Sequence, residues 1–407
     1  MFFPEPDSHL PRAPQLLKFP KYADDRLLHL PIRRLLNLTL FGADESHSHF
    51  PQTRSPVAPS AQTPRVGYAW VQHDPKRSYV QQWSLNVQRQ LAGGVTASVG
   101  YSGQHGLHQP LRTSDANIVL PVETALGLVW PTPRGSGARL NPDLGAINAL
   151  AWTSSNTYEA MNLGLVWERR GLRFGAAYTF SKSIDNSSSS LAVTNFNNSA
   201  VGSFIFDPAV ARGLSDFDVR QNLVLNATWL LPRYRRAPGR VGWLANGWQL
   251  AGIFRAATGL PFTPVVGGDA LGLRNAATFD FPDRLNLAGC NNPVNTGDAT
   301  RYINTECFAA PRPATRLGNS GRNIAIGPGL SNLDASLFKN NYVHNEKLNF
   351  QFRVELFNAL NHTNFSVPDR TAAQIFTQTF APVATAGLLK TTATTSRQIQ
   401  LALKFIW

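Results

Sequence analysis

The stretch "KLNFQFRVELFN", Lys347 to Asn358, decides the fold class of this chain. Its apolar residues occupy every second position: Leu348, Phe350, Phe352, Val354 and Leu356. The positions between them are polar: Asn349, Gln351, Arg353 and Glu355. Because successive side chains of a β-strand point to opposite faces, this alternation predicts a strand with one apolar face and one polar face.

The same alternation recurs in eight further stretches. They are "QQWSLNVQRQ" (81–90), "GVTASVGYSG" (94–103), "MNLGLVWER" (161–169), "LRFGAAYTFSKS" (172–183), "RQNLVLNATWLL" (220–231), "GWQLAGIFRAATG" (247–259), "LSNLDASLFKN" (330–340) and "RQIQLALKFIW" (397–407). Several of the nine runs reach about 9–12 residues, the length of a tilted membrane-spanning strand, whereas strands of soluble sheets average about 5–6. No run approaches ~18 consecutive apolar residues, so a transmembrane helix is excluded and a transmembrane barrel is not.

The connections between these runs alternate strictly between short and long. The short ones are centred on "AGG", "RRG", "PRYRRAPGRVGW" and "NNYVHNE". The long ones are Gln104–Asn156, Ile184–Asp216, Leu260–Gly329 and Ala359–Ser396. Outer-membrane barrels have this order, with short periplasmic turns and long extracellular loops. We therefore predict an all-β, antiparallel transmembrane barrel, present in part, with about nine or ten long strands.

The predicted strands place aromatic and charged side chains in separate bands. Aromatic residues near the short turns are expected to form an interface girdle, for which ordinary core packing is the alternative: Trp167, Trp229, Trp248, Phe405 and Trp407. Charged residues on the polar face are expected to line a wet lumen, paired with one another: Arg173, Arg255, Arg353, Glu168 and Glu355. Trp152 and Tyr158 are candidates for sugar binding, with packing between loops as the alternative.

Composition bounds the remaining chemistry. The net charge is +13, but the basic residues are scattered and form no nucleic-acid motif, so nucleic acid is not an expected partner. Cys290 and Cys307 lie in one Asn- and Thr-rich stretch and predict either a disulfide or two free thiols. No catalytic or cofactor motif is present, and no enzyme activity, metal or cofactor is expected. Four carboxylates fit the capping of strand ends and loops, with a calcium site or an acid/base cluster as the alternative: Asp185, Asp216, Asp218 and Asp334.

The chain divides near residue 76. Residues 1–76 are rich in Pro, His and Arg and show no sustained period, which predicts an irregular or disordered segment without a plug domain. Residues 77–407 contain the alternating runs and form the predicted barrel portion. "RVGYAWVQ", Arg65 to Gln72, is a candidate for one additional strand.

Four stretches of this portion resemble the C-terminal barrel half of TonB-dependent receptors, and the Oar-like group most of all. They are "SYVQQWSLNVQRQLAGGVTASVGYSGQHGLH", "FDVRQNLVLNATWLLP", "GWQLAGIFRAATGLPFTP" and "FQFRVELFNALNHTNF". The resemblance implies an outer-membrane barrel of about 22 strands with a plug, opened by a TonB-type energiser. No plug, signal peptide or first barrel half is recognisable, so the resemblance implies that this chain is a fragment. Coupling to an energiser would then require a plug supplied from elsewhere.

The resemblance also implies a function and a location. It implies energy-coupled uptake or binding of an unidentified ligand, such as a carbohydrate or a peptide, in the outer membrane. The last strand resembles the signal that the outer-membrane assembly machinery reads, and the lipid bilayer is the other expected partner. Two alternatives stay open: a non-transporting surface adhesin or structural barrel, and a secreted all-β carbohydrate-binding protein.

Overall fold

A computed structural model describes residues 67–113, 115–131, 139–188, 206–234, 239–273, 281–343 and 348–406. In chain order its strands are β1 (Tyr68–Val71), β2 (Tyr79–Leu91), β3 (Val95–Thr113), β4 (Val122–Thr124), β5 (Gly127–Val129), β6 (Ile147–Arg169), β7 (Leu172–Asp185), β8 (Gly213–Leu214), β9 (Gln221–Leu230), β10 (Trp248–Ala257), β11 (Pro261–Phe262), β12 (Val265–Val266), β13 (Asp283–Arg284), β14 (Phe308–Ala309), β15 (Ala325–Ile326), β16 (Leu330–Val343), β17 (Leu348–Phe357), β18 (Gln374–Phe376) and β19 (Gln398–Ile406). One α-helix, Gly239–Ala245, lies between β9 and β10. No helix within the described ranges is long and apolar enough to cross a membrane.

Nine long strands form one up-and-down sheet. Their order is β2-β3-β6-β7-β9-β10-β16-β17-β19, and each pairs antiparallel with its neighbours. These are the nine strands that the alternation predicts, so the all-β antiparallel fold is confirmed. Within the described residues, β2 and β19 are the two edges of this sheet and do not pair with each other.

The shortest connection between the nine long strands, from β6 to β7, is formed by two residues with positive φ. Arg170 has a φ of 52° and Gly171 a φ of 80° between β6 and β7. Two such residues in succession form the mirror-image turn whose twist matches that of the flanking strands, so β6 reverses directly into β7.

The first predicted loop, Gln104–Asn156, is wrong at both of its ends. Residues 104–113 continue β3, and residues 147–156 continue β6. The register between these two extensions shifts at Gly106, Gln109 and Leu111, so β-bulges interrupt the alternation on which the prediction depends. A strand that extends beyond the bilayer also has no lipid-facing side and needs no regular apolar face.

The stretch Arg65 to Gln72 contains a strand, but it is not a tenth wall strand. β1 pairs in parallel with the first residues of β6, where Tyr68 lies opposite Ile147. Tyr68–Val71 are therefore ordered although the sequence placed them in the irregular segment. Residues 1–66, the larger part of that predicted segment, lie outside the described residues.

The long connections fold together at one end of the sheet. We call their described residues the loop lobe: 115–131, 139–146, 206–220, 258–273, 281–329 and 358–397. It has two apolar clusters, and Phe262, Tyr302 and Ile375 belong to the first. Trp130, Val265 and Phe281 belong to the second, which joins the connection after β3 to the one after β10. A disulfide joins Cys290 to Cys307 inside the first cluster, with 5.5 Å between their Cα atoms.

Candidate ligand-binding site on the polar face

The register of the nine strands gathers their apolar side chains on one face. Residues opposite each other in paired strands share a face, so each register row can be followed across the sheet. One row joins Val95, Trp167, Phe174, Ala227, Gly252, Ala335, Leu356 and Ile399. Another joins Val87, Val99, Leu163, Tyr178 and Leu223. We call this side the apolar face.

The predicted girdle aromatics lie on the apolar face at its short-turn end. The indole Nε1 of Trp167 donates to Gly93 O at 3.2 Å, and that of Trp248 donates to Leu244 O at 2.8 Å. Trp229 lies opposite Leu172 and Leu250 in its register row. Phe405 packs edge-on against Phe350, with 5.0 Å between ring centroids. Trp407 lies outside the described residues.

The five charged residues predicted to face a lumen all lie on the opposite side, the polar face. One register row joins Glu168, Arg173, Thr228, Ala251, Ser336, Glu355 and Gln400. Among these described side chains the expected mutual ion pairs are not formed. Arg255 Nε donates instead to Asn222 Oδ1 at 3.3 Å, and Arg353 Nε donates to Gln351 Oε1 at 2.5 Å.

A cavity of about 320 Å³ lies where the polar face meets the loop lobe. Strands β6, β7, β9 and β10 supply its wall: Tyr158, Thr179, Ser181, Ser183, Asn222 and Arg255. The segment between β8 and β9 supplies its roof: Phe217, Asp218 and Val219. The register explains the wall, because Tyr158 lies opposite Ser183 and Thr179 lies opposite Asn222.

Asp218 gives this cavity its acidic side. Its Oδ1 accepts a hydrogen bond from the Ser183 N–H at 2.6 Å, and its Oδ2 lies 3.9 Å from Arg220 Nη2. Burial raises the pKa of Asp218 above its ordinary value, and the Ser183 N–H and Arg220 oppose that rise only in part.

The cavity combines groups that suit a polar organic ligand. Arg255 supplies guanidinium donors, Asn222 supplies an amide, and several hydroxyl groups can both donate and accept. Tyr158 and Phe217 add aromatic rings, and Phe217 is exposed. Rings and uncharged hydrogen-bonding groups together fit the apolar and hydroxyl or amide surfaces of a carbohydrate or a peptide.

Above the cavity, one arginine bridges two buried carboxylates. Arg322 Nη2 donates to Asp185 Oδ1 at 2.6 Å, and its Nη1 donates to Asp216 Oδ1 at 3.0 Å. Its Nε donates to Ala211 O at 2.7 Å, and Asn323 Nδ2 also donates to Asp216 Oδ1 at 2.7 Å. The guanidinium balances the charge of one carboxylate, and the two carboxylates share its hydrogen bonds together with that of the Asn323 amide.

The four predicted carboxylates do not form one cluster. Asp185 and Asp216 come together around Arg322, whereas Asp218 belongs to the cavity. Asp334 lies within β16, and its Oδ1 accepts from the N–H of Asn358, the residue after β17, at 2.8 Å. In the part of the chain that the structure describes, no three His, Cys, Asp or Glu side chains come together as they would to hold a metal ion.

Sequence reasoning missed Arg322, and no local signal identifies it. Its two carboxylate partners lie 106 and 137 positions away in the sequence. The next residue, Asn323, has a φ of 57° in the left-handed region that Asn tolerates better than most residues. Phe217 was missed as well, because its role depends on how the β8–β9 segment folds over the wall.

A second cavity of about 390 Å³ lies in the loop lobe beside the disulfide. Arg284 Nη2 donates to Cys290 O at 2.7 Å and to Asn291 O at 2.8 Å, which fixes the side of the cavity. Asn286, Leu287 and Asn319 complete its lining, together with Leu285. Asn286, Leu287, Asn291 and Asn319 are exposed, so this cavity is an open recess at the surface of the lobe.

Two comparisons with known proteins find a match. The family model described as "outer membrane beta barrel domain" matches residues 36–400. Among solved structures, the FrpB iron transporter from Neisseria meningitidis (F3-3 variant) is matched. It is 11% identical, the alignment covers 84% of this chain and 32% of that chain, and the TM-score is 0.36. This chain thus spans about a third of the FrpB chain.

Comparison with curated protein sequences finds no match. The family model covers far more than half of the chain, and the nine-stranded antiparallel sheet with its apolar face is the structure that such a family requires. The apolar face contacts the lipid bilayer. The chain therefore belongs to the outer membrane beta barrel domain family and is a protein of the outer membrane.

Proposed function

We propose that this chain is the C-terminal part of the barrel of a TonB-dependent receptor of the Oar-like group. In this proposal it takes up a polar organic ligand, a carbohydrate or a peptide, in an energy-coupled manner. The observation that carries the proposal is the cavity of about 320 Å³ on the polar face, directly beneath the loop lobe. A ligand captured by the loops would meet this cavity first on its way along the polar face.

The polar face beyond the cavity supports passage. Below the cavity it presents amides, hydroxyls and charged groups, including Arg173, Glu168 and Glu355 in one register row. Hydrogen-bonding groups spaced along a wall can replace the hydration of a polar solute step by step, whereas an apolar lumen would stop it.

Energy coupling is the part of the proposal that depends most on other protein segments. Strands β2 and β19 are open edges among the described residues, so further strands can extend the sheet on both sides. A complete receptor of this group would place a plug against the polar face and use a TonB-type energiser to move it. The assembly machinery would pair with β19, whose apolar positions continue to Phe405.

The second candidate function is a non-transporting surface adhesin. It is favoured by the construction of the loop lobe, which has two apolar clusters of its own and a disulfide. A rigid lobe of this kind can present a binding surface without any passage through the wall. The outer-membrane location sets aside the secreted carbohydrate-binding protein, and we propose no enzymatic step for either candidate.

Uptake measurements in intact cells separate the two candidates. Cells that display the full protein are given fluorescent oligosaccharides and peptides, with and without a protonophore. The transporter proposal expects internal signal that the protonophore abolishes and that Arg255→Ala with Phe217→Ala reduces. The matched control is Arg353→Ala, on the same face but outside the cavity. Signal that stays on the surface, is indifferent to the protonophore and survives the cavity substitutions would establish the adhesin instead.

A further inference from the structure

The connection between β9 and β10 carries exposed apolar side chains at the short-turn end of the sheet. Its helix, Gly239–Ala245, presents Val241, Trp243 and Leu244, which are 63%, 59% and 62% exposed. Tyr234, just before the helix, is 64% exposed. A short turn in contact only with periplasmic water has no reason to expose four large apolar groups together.

This helix is held against the apolar face and not against the polar one. Lys339 lies on the apolar face, opposite Trp248 on one neighbouring strand and Phe352 on the other. Its ammonium lies 5.4 Å from the centroid of the Trp243 ring and 5.7 Å from that of Trp248. The cation therefore sits between a wall tryptophan and a helix tryptophan, which brings the helix to the lipid side of the wall.

The hydrogen bonds of Lys339 fix the helix there. Its Nζ donates to Trp243 O at 2.8 Å, to Asn246 O at 2.5 Å and to Asn341 Oδ1 at 2.7 Å. An ammonium has three donors, so all three are used within the protein and none is left for a lipid headgroup. Lys339 is 5% exposed, which shows that the helix covers this charge on an otherwise apolar surface.

Gly247 allows this close return of the chain. It has a φ of 84°, and a Cβ at this position would come within 2.2 Å of Asn340 O on the adjacent strand. Its own carbonyl accepts from the Asn340 N–H at 2.8 Å. The helix is therefore anchored at its C-terminal end by main-chain contacts as well as by Lys339.

The segment around the helix is strongly basic. The stretch "PRYRRAPGR" (232–240) contains four arginines, and residues 231–247 contain no Asp or Glu. Arg233 and Arg240 directly precede the exposed Tyr234 and Val241, and both arginines are exposed. A basic segment next to an apolar helix is the composition of a surface that lies in the headgroup region of a bilayer.

We propose that the β9–β10 connection is a membrane-interface anchor that binds the phospholipids of the periplasmic leaflet. Val241, Trp243 and Leu244 insert among the acyl chains near the headgroups, and the arginines contact lipid phosphates. Continuity argues for lipid as the occupant, because the helix extends the apolar face, which already contacts the bilayer, past Trp248 without a gap. A periplasmic protein would have to compete with lipid for apolar groups at the level of the aromatic girdle.

A single-cysteine probe tests this placement in the full chain. Leu244→Cys is labelled with an environment-sensitive fluorophore, and since Cys290 and Cys307 are bonded to each other, the new thiol is the only free one. The protein is reconstituted in vesicles of phosphatidylethanolamine and phosphatidylglycerol, some with chains brominated near the headgroup. The same probe at Leu250→Cys, on the apolar face, reports whether the sheet has inserted into the bilayer. Position 244 is examined only under reconstitution conditions in which the probe at position 250 is quenched.

The probe at position 244 is expected to be quenched and shifted to the blue. The matched water-facing control is Leu287→Cys in the loop lobe, where Leu287 is 53% exposed, and its probe is expected to stay unquenched. Raising the phosphatidylglycerol content is expected to increase the quenching at 244, and Arg233→Gln with Arg240→Gln removes that increase. High salt is expected to have the same effect as the arginine substitutions.

Two results would overturn the anchor. A probe at 244 that matches the one at 287 would place the helix in water, and a shift that requires added periplasmic extract would assign the surface to a protein. Quenching that ignores both phosphatidylglycerol and the arginine substitutions would remove the phosphate contacts from the proposal.

Discussion

Arg322 and Asp185 are 137 positions apart in the sequence, yet a single guanidinium nitrogen of Arg322 bonds Asp185 twice. The Nη2 atom donates to the main-chain carbonyl oxygen at 2.7 Å and to Oδ1 at 2.6 Å. Asp185 is the last residue of the wall strand β7, whereas Arg322 belongs to the connection between β10 and β16. This pair therefore fastens the loop lobe to the wall directly above the polar-face cavity.

Replacing Arg322 with Met should destabilise the loop lobe strongly. The substitution removes the guanidinium that Asp185 and Asp216 share while the Asp185 carboxylate stays buried, and breaking a buried ion pair in this way costs about 3–5 kcal/mol. The free energy of unfolding in urea, followed in detergent, measures the loss. Lys390→Met is the matched control, because Lys390 is exposed, and its effect should be small. Equal stability of the two variants would contradict the role assigned to Arg322.

The disulfide should stabilise the lobe without affecting the strands of the wall. Cys290 and Cys307 are separated by 17 positions, and closing a loop of that size contributes about 3 kcal/mol. Replacing both by Ser is expected to speed proteolysis of the lobe and to leave the heat-dependent gel migration unchanged. Reductant should reproduce the effect in the natural protein and do nothing further to the double variant. A change in gel migration would mean that the bond also supports the wall.

Gly247 and Gly289 have the same φ of 84°, so substituting each by Ala distinguishes the cost of backbone strain from the cost of a steric clash. A Cβ at Gly247 would meet Asn340 O at 2.2 Å, whereas a Cβ at Gly289 has no atom within 4 Å. Gly289→Ala should therefore cost only the strain of a left-handed residue, about 1–2 kcal/mol. Gly247→Ala should cost clearly more, as a lower midpoint temperature of heat-modifiable migration. Equal midpoints for the two variants would show that the β9–β10 connection adjusts freely.

Adjacent residues of β6 test which face contacts lipid. Leu163 lies on the apolar face and Asn162 on the polar face. Leu163→Arg should cost about 2–4 kcal/mol near the middle of the bilayer and lower the yield in the outer membrane. Asn162→Arg should be tolerated apart from the lost hydrogen bond with Thr179. A lower outer-membrane yield for Asn162→Arg than for Leu163→Arg would mean that the polar face contacts lipid and the apolar face does not.

The raised pKa of Asp218 predicts how stability changes with pH. Because the folded protein binds this proton more tightly than the unfolded chain, the stabilisation by the protonated form is fully present below pH 3.8. It is lost as the pH rises through the higher pKa of the folded state, and Asp218→Asn should remove this dependence. Thermal midpoints of both proteins across the acid range provide the measurement. The raised pKa would be contradicted if the natural protein's thermal midpoint, relative to that of Asp218→Asn, stayed constant or increased as the pH rises.

The wall was predictable because lipid and water impose opposite demands on alternate residues. "KLNFQFRVELFN" shows both demands within one strand, and the nine runs with this pattern are the nine long strands of the sheet. The extensions of β3 and β6 were not predictable, because beyond the bilayer neither face needs to be apolar and bulges break the period. The parallel pairing of β1 with β6 likewise has no local signal.

The candidate site was predictable only in part. The position of Arg255 on the polar face follows from alternation within β10, and Arg255 does line the cavity. The roof formed by Phe217 and Asp218 depends on the tertiary fold of a loop, which no period encodes. The helix between β9 and β10 was missed for a related reason. Its seven residues include two glycines, poor helix formers, and contacts with Lys339 hold it in place.

The length of β6 sets how far the loop lobe stands from the cell. The strand has 23 residues, whereas crossing the bilayer takes about 9–11, so roughly twelve residues project outward. At about 3.3 Å per residue and a tilt of about 45°, they rise roughly 28 Å above the hydrocarbon. The lobe therefore lies well above the bilayer, and a solute can contact it without reaching the hydrocarbon.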